Sequence, residues 1–445
     1  MPNTAQASAT SARAPGRTPL RPSAAREEVR RLSWGLAHHT AREAAAAAPL
    51  PAVLRPLADA VGHALAEPLT ALTDLPAFDT AAMDGWAVAG AGPWRIRPGL
   101  LPAGELGAPL PGGTAHRIAT GAPVPAGTTA VLRVEHGFEA EADGLLRSRE
   151  PLAPGKDIRP RGQECRTGAP LLPAGAPLAP AALGLAAAAG HDRLRVHRRP
   201  AVRLLVTGDE LVESGIPQAG RVRDALSPAL LPALRALGAR VLGGGARLLE
   251  DSPAPLRAEL LAAEPDLFLT TGSTSAGQAD LLHGVLAELG ARLLVDGVAV
   301  RPGHPMLLAE LPPRAGTRTS ARPRLLVGLP GNPLAALAGL LTLAAPVIRR
   351  LAGHADPAPP ALLPAATAFP GHPYDTRLSP ARMLDGRLEP LPHDGPAMLR
   401  GAALADGLAV VPPGGAAAGR RSRCCRCRAE GGAAAAGPRV LPLLG

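Results

Sequence analysis

Between residues 201 and 350 the chain repeats one pattern: a short run of Leu and Val, a tight turn of small or acidic residues, then a stretch with helical spacing. Arg203-Leu-Leu-Val-Thr-Gly reads as a strand ending in a turn, with a helix over 229–237 after it. Residues 240–242 form a candidate second strand and 255–263 a helix. Leu267-Phe-Leu-Thr-Thr-Gly is a third strand, followed by a helix over 279–289. Arg324-Leu-Leu-Val-Gly-Leu is a further strand before a helix starting near Asn332. Strands alternating with helices pack as a parallel sheet covered on both faces, because each crossover must return along the same direction. In an open sheet of that kind, ligands sit beyond the carboxyl ends of the strands.

The remainder organises around that unit. A length of 445 residues calls for several domains, since single cores stop growing at roughly 250–300 residues. Residues 33–69 read as helical, with an Ala run at 44–48 and Leu54, Leu57, Val61 and Leu65 at helical spacing. A turn-rich loop follows over 74–86. Short apolar runs at 86–88 and 130–134, set between Gly and Pro clusters, suggest a small β-rich domain. Residues 151–200 are rich in Pro and Gly, with an apolar stretch at 178–189. Beyond Pro357, residues 387–391 and 408–411 read as short strands, and the Gly and Ala stretches at 414–419 and 431–437 as loop or tail. The expected organisation is an unstructured extension (1–29), a discontinuous helical and linker domain (30–85 with 151–200), an inserted β-rich lid (86–150), the α/β domain (201–355) and a C-terminal β domain with a loose tail (356–445). The fold class is α/β and multidomain.

Composition narrows the partners. Aromatics make up only 2% of the chain, so the cores must be built from Leu, Val and Ala. The net charge is +10, yet Lys156 is the only lysine and the arginines are scattered without interleaved aromatics. That argues against nucleic acid and for small anionic substrates. Of four cysteines, Cys165 stands alone and Cys424, Cys425 and Cys427 crowd one Arg-rich stretch. They lack the two separated pairs of a structural zinc site and read as reduced thiols, with the cytoplasm as the expected location. No window of about 20 unbroken apolar residues offers a membrane span. The nearest, 334–348, reads as a buried helix. Residues 1–25 are rich in Ser, Thr and Arg but carry no apolar face.

Three strand exits carry chemistry-bearing residues. Thr207-Gly-Asp-Glu-Leu places two carboxylates at a strand end. Thr271-Gly-Ser-Thr-Ser-Ala-Gly-Gln-Ala-Asp offers small residues whose backbone N–H groups suit an anion at a helix start. In Leu329-Pro-Gly-Asn-Pro, Asn332 is placed to cap a helix with Pro333 in its first position. Each alone has a plain structural reading as a turn or cap. Together on one sheet they point to a site.

The wording of these segments resembles the MoeA (molybdopterin molybdotransferase) family. Phe78-Asp-Thr-Ala-Ala-Met-Asp-Gly-Trp-Ala-Val is similar to the family's FDxSAMDGYAV, and Arg117-Ile-Ala-Thr-Gly-Ala-Pro-Val-Pro-Ala-Gly to its IxTGAPLPxG. Asp157-Ile-Arg-Pro-Arg-Gly-Gln-Glu stands in the place of NVRxxGED, Val206-Thr-Gly-Asp-Glu-Leu resembles STGDEL, and Val298-Ala-Val-Arg-Pro-Gly-His-Pro resembles VAMKPGKP. Leu329-Pro-Gly-Asn-Pro is the family's LPGNP unchanged. The loop at 272–280 stands where the family has GGVSVGxxD, with Ser273 at the second Gly. Seven segments occur in family order between about residues 35 and 415.

The resemblance implies an elongated, four-part homodimer that hydrolyses adenylylated molybdopterin and inserts molybdate at the freed dithiolene, releasing AMP and needing Mg²⁺. The adenylyltransferase that supplies the substrate is an implied partner. By motif position, Asp84, Glu210 and Asp280 are the expected metal and catalytic acids, with Thr120 and Glu164 beside them. Glu250 and Asp251 lie near another family acid. Gly272, Ser273, Ser275, Pro330, Asn332 and Pro333 are expected to hold substrate. Arg301 and His304 replace two family lysines, Gly297 falls where some members have a third, and Asp224-Ala-Leu replaces a DxN. Two other readings fit the same residues: a non-catalytic paralogue that binds molybdopterin or scaffolds partners, and an adenylylating enzyme. The extra segments before residue 200 argue against the second.

Overall fold

A computed structural model describes residues 31–46, 49–262, 265–272, 281–313, 324–355 and 362–418, and the strand Arg439–Pro442. Its centre is a seven-stranded sheet. In spatial order the strands are Arg240–Val241, Ala201–Thr207, Leu267–Thr271, Arg324–Leu329, Leu307–Leu311 and Arg292–Asp296, with Arg247–Leu249 also pairing on Ala201–Thr207. The four consecutive strands that start this order, and Arg247–Leu249, are parallel. Leu307–Leu311 and Arg292–Asp296 run antiparallel to their neighbours, so the all-parallel expectation is corrected at this edge. The reason is local: these two strands are joined through a short connection, not a helical crossover.

Strand alternation separates two apolar layers. Leu204, Leu267, Leu269, Leu325, Val327 and Leu308 face a layer built with the helices Leu226–Ala236 and Pro333–Leu351. Leu205, Phe268, Leu326 and Leu307 face the opposite layer, covered by Pro253–Ala262 and Leu281–Glu288. Both faces being covered explains why the strands read as near-continuous apolar runs.

The helix Pro333–Leu351 is long and apolar enough to cross a membrane, but 83% of its most apolar window is buried in this core. It widens into a π-turn over Leu340–Ala344. Pro346 has no N–H to offer the Thr342 carbonyl, so the turn must loosen there. Thr342 meanwhile donates its hydroxyl to the Ala338 carbonyl (2.7 Å) and accepts from Trp34 Nε1 (3.2 Å).

That tryptophan opens the helix Trp34–Ala44, which lays Ala37 and Ala41 on the α/β core. The helix expected over 33–69 ends there. Pro49, Pro51 and Pro56 interrupt it, and Ala52–Pro56 is instead a strand paired antiparallel with Arg193–His197. Leu69–Thr70 likewise pairs with Pro170–Leu172, and Thr80–Ala81 with Ile158–Arg159. The two segments expected to form a helical linker therefore zip together as a strand ribbon around Leu65, Leu178, Leu194 and Val196, with one short helix, Pro180–Ala188.

The ribbon carries a six-stranded sheet in the order Ala130–Arg133, Gly85–Val88, Thr114–Ile118, Trp94–Leu101, Leu145–Ser148, Gly137–Glu139. A last sheet gathers distant segments. Leu32–Ser33 pairs with Val298–Arg301, which pairs with Thr376–Leu384, then Gly407–Val411 and Arg439–Pro442. Arg387–Pro390 joins Thr376–Leu384 through Asp385-Gly386, both at positive φ, the backbone that a two-residue hairpin requires.

Candidate active site

The strand exits lie side by side. Val206 pairs with Thr271, Thr271 with Leu329, and Thr207 is level with Leu249 on its other side. The Thr207 hydroxyl donates to the Thr271 carbonyl (3.0 Å), and the Gly272 N–H donates to the Leu329 carbonyl (3.1 Å). Gly272 adopts φ +89°, and a Cβ there would stand 2.7 Å from the Thr207 carbonyl oxygen. Only glycine lets these two exits approach. A Cβ on Gly331 would reach within 3.5 Å of the Gly272 Cα, so the Pro330–Gly331–Asn332 turn closes the third side.

Acids rim this crevice. The Asp209 carboxylate accepts the Asp251 N–H (3.0 Å), joining the acidic turn after Thr207 to the one after Leu249. Arg221 donates to the Asp209 carbonyl. Glu210 is exposed, with its carboxylate oxygens 3.0 and 3.1 Å from where a Gly208 Cβ would be, folded back over the strand end. Glu250 and Asp251 are exposed beside it. The structure thus brings Glu210, Glu250, Gly272, Pro330, Asn332 and Pro333 to one edge. Ser273, Ser275 and Asp280 lie outside the described residues.

Asn332 occupies the N-cap position, but its side chain makes no capping bond, contrary to expectation. A cap side chain would serve the second and third helical N–H groups. Those of Leu334 and Ala335 already donate to the Pro396 carbonyl (2.9 and 3.2 Å), which the C-terminal region supplies. The Asn332 amide is left exposed.

Arg301 ends its strand with Nε donating to Asp375 (2.9 Å), a carboxylate only 7% exposed. The positive charge expected here is thus partly balanced. Burial, then Arg31 and Arg301, hold the His304 imidazole below its usual range against the opposing pull of Asp375, so it is neutral at pH 7. Asp375 and Pro396 went unforeseen: both come from a region brought to the site by tertiary pairing, which no local pattern signals.

A second cluster forms where the six-stranded sheet meets the ribbon. Asp84 Oδ1 accepts both the Thr120 N–H (2.6 Å) and the Thr120 hydroxyl (2.9 Å). These bonds hold its carboxyl below the usual range, the backbone bond contributing most, with Arg117 adding to them. Gly85 follows because a Cβ there would fall 2.0 Å from the Leu132 carbonyl oxygen. The Ala81 N–H donates to the Ala122 carbonyl (3.0 Å), Ala82 donates to the Asp157 carbonyl (2.8 Å) and Glu164 donates its N–H to the Leu75 carbonyl (2.8 Å). Segments 78–88, 117–127 and 157–164 therefore meet, with Asp84, Thr120 and Glu164 exposed.

Asp74 clamps this junction. It accepts from the Thr167 N–H (2.7 Å), the Thr167 hydroxyl (2.9 Å) and Arg161 Nε (2.6 Å), which lower its carboxyl from 3.8 to about 2, the Thr167 backbone bond most. A depressed pKa gives stability that is fully present above the unfolded value and lost as pH falls through the folded one. Asp74→Asn is therefore expected to lower the melting temperature at pH 7, while the difference from wild type narrows between pH 3.8 and about 2. Equal differences at both ends of a pH-scanned melting series would contradict the clamp.

Within one chain, no hydrogen bond, ion pair or strand pairing among the described residues joins the Asp84 cluster to the strand exits. Nor does any trio of His, Cys, Asp and Glu among them form a preformed metal cage. Mg²⁺ commonly takes only one or two carboxylates plus phosphate oxygens, and the paired acidic turns at 209–210 and 250–251 supply hard oxygens in that number. A cleft of about 640 Å³ beside Trp94 and Arg147 contains none of the residues expected from sequence.

Comparison with known proteins matches this architecture region by region. Residues 36–190 match the MoeA N-terminal region (domain I and II), 203–350 a probable molybdopterin binding domain, and 363–421 the MoeA C-terminal region (domain IV). The chain is 33% identical over 321 residues to a molybdopterin molybdenumtransferase of Synechococcus elongatus, covering 68% of this chain and 76% of that protein. It is 34% identical over 386 residues to molybdopterin molybdenumtransferase 2 of Mycobacterium tuberculosis, covering 80% and 90%. Crystal structures of molybdopterin biosynthesis MoeA protein from Pyrococcus horikoshii share the fold, one at TM-score 0.63 and 24% identity over 86% of this chain and 95% of that one, another at 0.69 and 20% over 87% and 98%. With relatives this similar over most of their length, the chain belongs to the MoeA family.

Proposed function

We propose that this protein is a molybdopterin molybdotransferase: it hydrolyses adenylylated molybdopterin, releases AMP and passes molybdate to the freed dithiolene. The observation that carries the reading is the crevice of three abutting strand exits, with Gly272 in a left-handed backbone and acids on its rim. Relatives that bear the transferase name support it.

The roles follow from the chemistry of the groups. The Gly272 backbone and the Asn332 amide are suited to anionic and polar parts of the substrate, Ser273 and Ser275 extending the same loop. Arg301, steered by Asp375, adds one directed cation. Glu210 and Glu250 would hold Mg²⁺, with Asp280 and Asp84 as further acids. The bound ion would neutralise phosphate charge during anhydride cleavage. Asp84, fixed on one oxygen by Thr120, keeps the other oxygen for orienting water or metal, with Glu164 nearby.

Because the Asp84 cluster and the strand exits stand apart in one chain, we read the working unit as a cytoplasmic homodimer in which one copy's Asp84 faces the other's crevice. The enzyme that adenylylates molybdopterin is the natural partner for substrate delivery. No observation favours the non-catalytic reading. The test is direct: purified protein given adenylylated molybdopterin, Mg²⁺ and molybdate should release AMP, measured by chromatography. Tight pterin binding without AMP would overturn the proposal.

A further inference from the structure

Arg301 closes the strand Val298–Arg301, and Asp375 stands one residue before the strand Thr376–Leu384. The parallel pairing that sets Val300 opposite Thr376 brings the two side chains together, with Arg301 Nε donating to Asp375 Oδ2 at 2.9 Å. Asp375 is buried, and among the described residues no second cation pairs with it. The nearest ring nitrogen, His372 Nδ1, lies 3.5 Å from Oδ2. It already accepts the Asp375 N–H (3.0 Å) and the Tyr374 N–H (3.3 Å), so it carries no proton to give. Arg377, next along the strand, is held by Asp394.

Arg301 spends a single nitrogen on this bond. Arg133, Arg147 and Arg198 each give two nitrogens to one carboxylate. With Nε held, the outer edge of the Arg301 guanidinium, Nη1 and Nη2, has no partner among the described residues, and the residue is exposed. The turn that follows sits against the crevice. A Cβ on Gly303 would stand 3.1 Å from the Ala335 carbonyl oxygen, in the first turn of the helix that opens at Asn332. His304, on the same turn, is neutral at pH 7 and adds no charge.

We propose that Asp375 is a positioning residue: it holds Arg301 by Nε so that Nη1 and Nη2 grip an oxyanion of the reaction, and this pairing makes Arg301 unexchangeable with lysine. The inference rests on the molybdotransferase reading and deepens it. A guanidinium is a rigid fork that can serve a carboxylate on one side and an oxyanion on its outer edge. A lysine ends in one nitrogen on a flexible stem. Placed opposite a buried carboxylate with no other cation, that nitrogen is drawn to Asp375, because an unpaired buried charge costs more than an ungripped anion in water. The charge is then kept and the grip lost, although the motif that this turn resembles has a lysine at that place.

The test measures binding of molybdopterin and of molybdate to the full chain by calorimetry at constant ionic strength, with KM and kcat for AMP release alongside. Losing one directed ionic hydrogen bond costs about tenfold in affinity, so Arg301→Lys should weaken one of the two ligands by that factor. Its KM should rise while kcat holds. Asp375→Asn should weaken the same ligand although the cation is still present. Joining the two changes frees the lysine, and affinity should recover about threefold or more over Arg301→Lys alone, a coupling expected only of groups that act through each other. A merely structural Asp375 would give added damage instead. Asp375→Ser replaces the asparagine in both arms should that variant fold poorly. The ligand affected, the pterin phosphate or molybdate, identifies the oxyanion. No AMP from the wild-type protein would sink the molybdotransferase reading, while the binding arm still decides this one. Unchanged affinities in either single variant, or no recovery in the double, would overturn the proposal.

Discussion

Asp84→Asn is expected to cut AMP release by about 10²-fold or more, the scale on which a positioned proton-transferring or charge-stabilising group acts. The substitution is nearly isosteric. Both Thr120 bonds land on Oδ1, so an asparagine oxygen accepts them unchanged and the fold is kept. What disappears is the negative charge on the other oxygen. The same Thr120 bonds hold the carboxyl below its ordinary range, so wild-type Asp84 is charged throughout the range in which activity is measured. Glu210→Gln should act similarly at the crevice rim, where the carboxylate packs over Gly208, while the structural bond to the Asp251 N–H falls to Asp209. Steady-state AMP release with melting temperatures alongside checks both. Full turnover in both variants would take these acids out of the mechanism.

Gly272→Ala is the other large effect. An alanine must hold φ near +89° and place its Cβ 2.7 Å from the Thr207 carbonyl and 2.8 Å from its hydroxyl. The backbone conformation alone costs about 1–3 kcal/mol. The contact then pries apart the two exits, and displacement of about 1 Å at a reacting site can cost 10²-fold in rate. We expect both lower stability in urea and at least a tenfold loss of AMP release. Gly331→Ala is the matched control: its Cβ would meet the Gly272 Cα at an ordinary 3.5 Å, and its backbone is not left-handed. Comparable losses in the two variants would mean that crowding, not the Gly272 backbone, governs the crevice.

The α/β unit was legible because its strands are buried on both faces and its turns are short, so Leu and Val runs mark them directly. Arg203 to Thr207 and Leu267 to Thr271 read plainly for that reason. The stretch Ala52–Pro56 misled because Leu54 and Leu57 fit a helical spacing, while its actual partner, Arg193–His197, lies some 140 residues away. Thr376–Leu384, the longest of the described strands, was missed since its last three residues are exposed and break the apolar pattern. At the site, family motifs located residues but not their restraints. Asp375 on Arg301 and Pro396 on the helix entry arise from tertiary pairing alone.

The sheet that begins with Leu32–Ser33 has a consequence for how the chain matures. Its neighbouring strand, Val298–Arg301, emerges from the ribosome some 265 residues later, and the strands that complete it come from 376–411 and 439–442. The ribbon and its six-stranded sheet close on themselves well before, by residue 197. Synthesis therefore yields an N-terminal half that can settle early, while the opening strand waits unpaired for most of translation. Closing so distant a pair demands loop entropy that nearby pairings avoid. The pairing of Leu32–Ser33 with Val298–Arg301 therefore cannot form until more than half of the chain has been made.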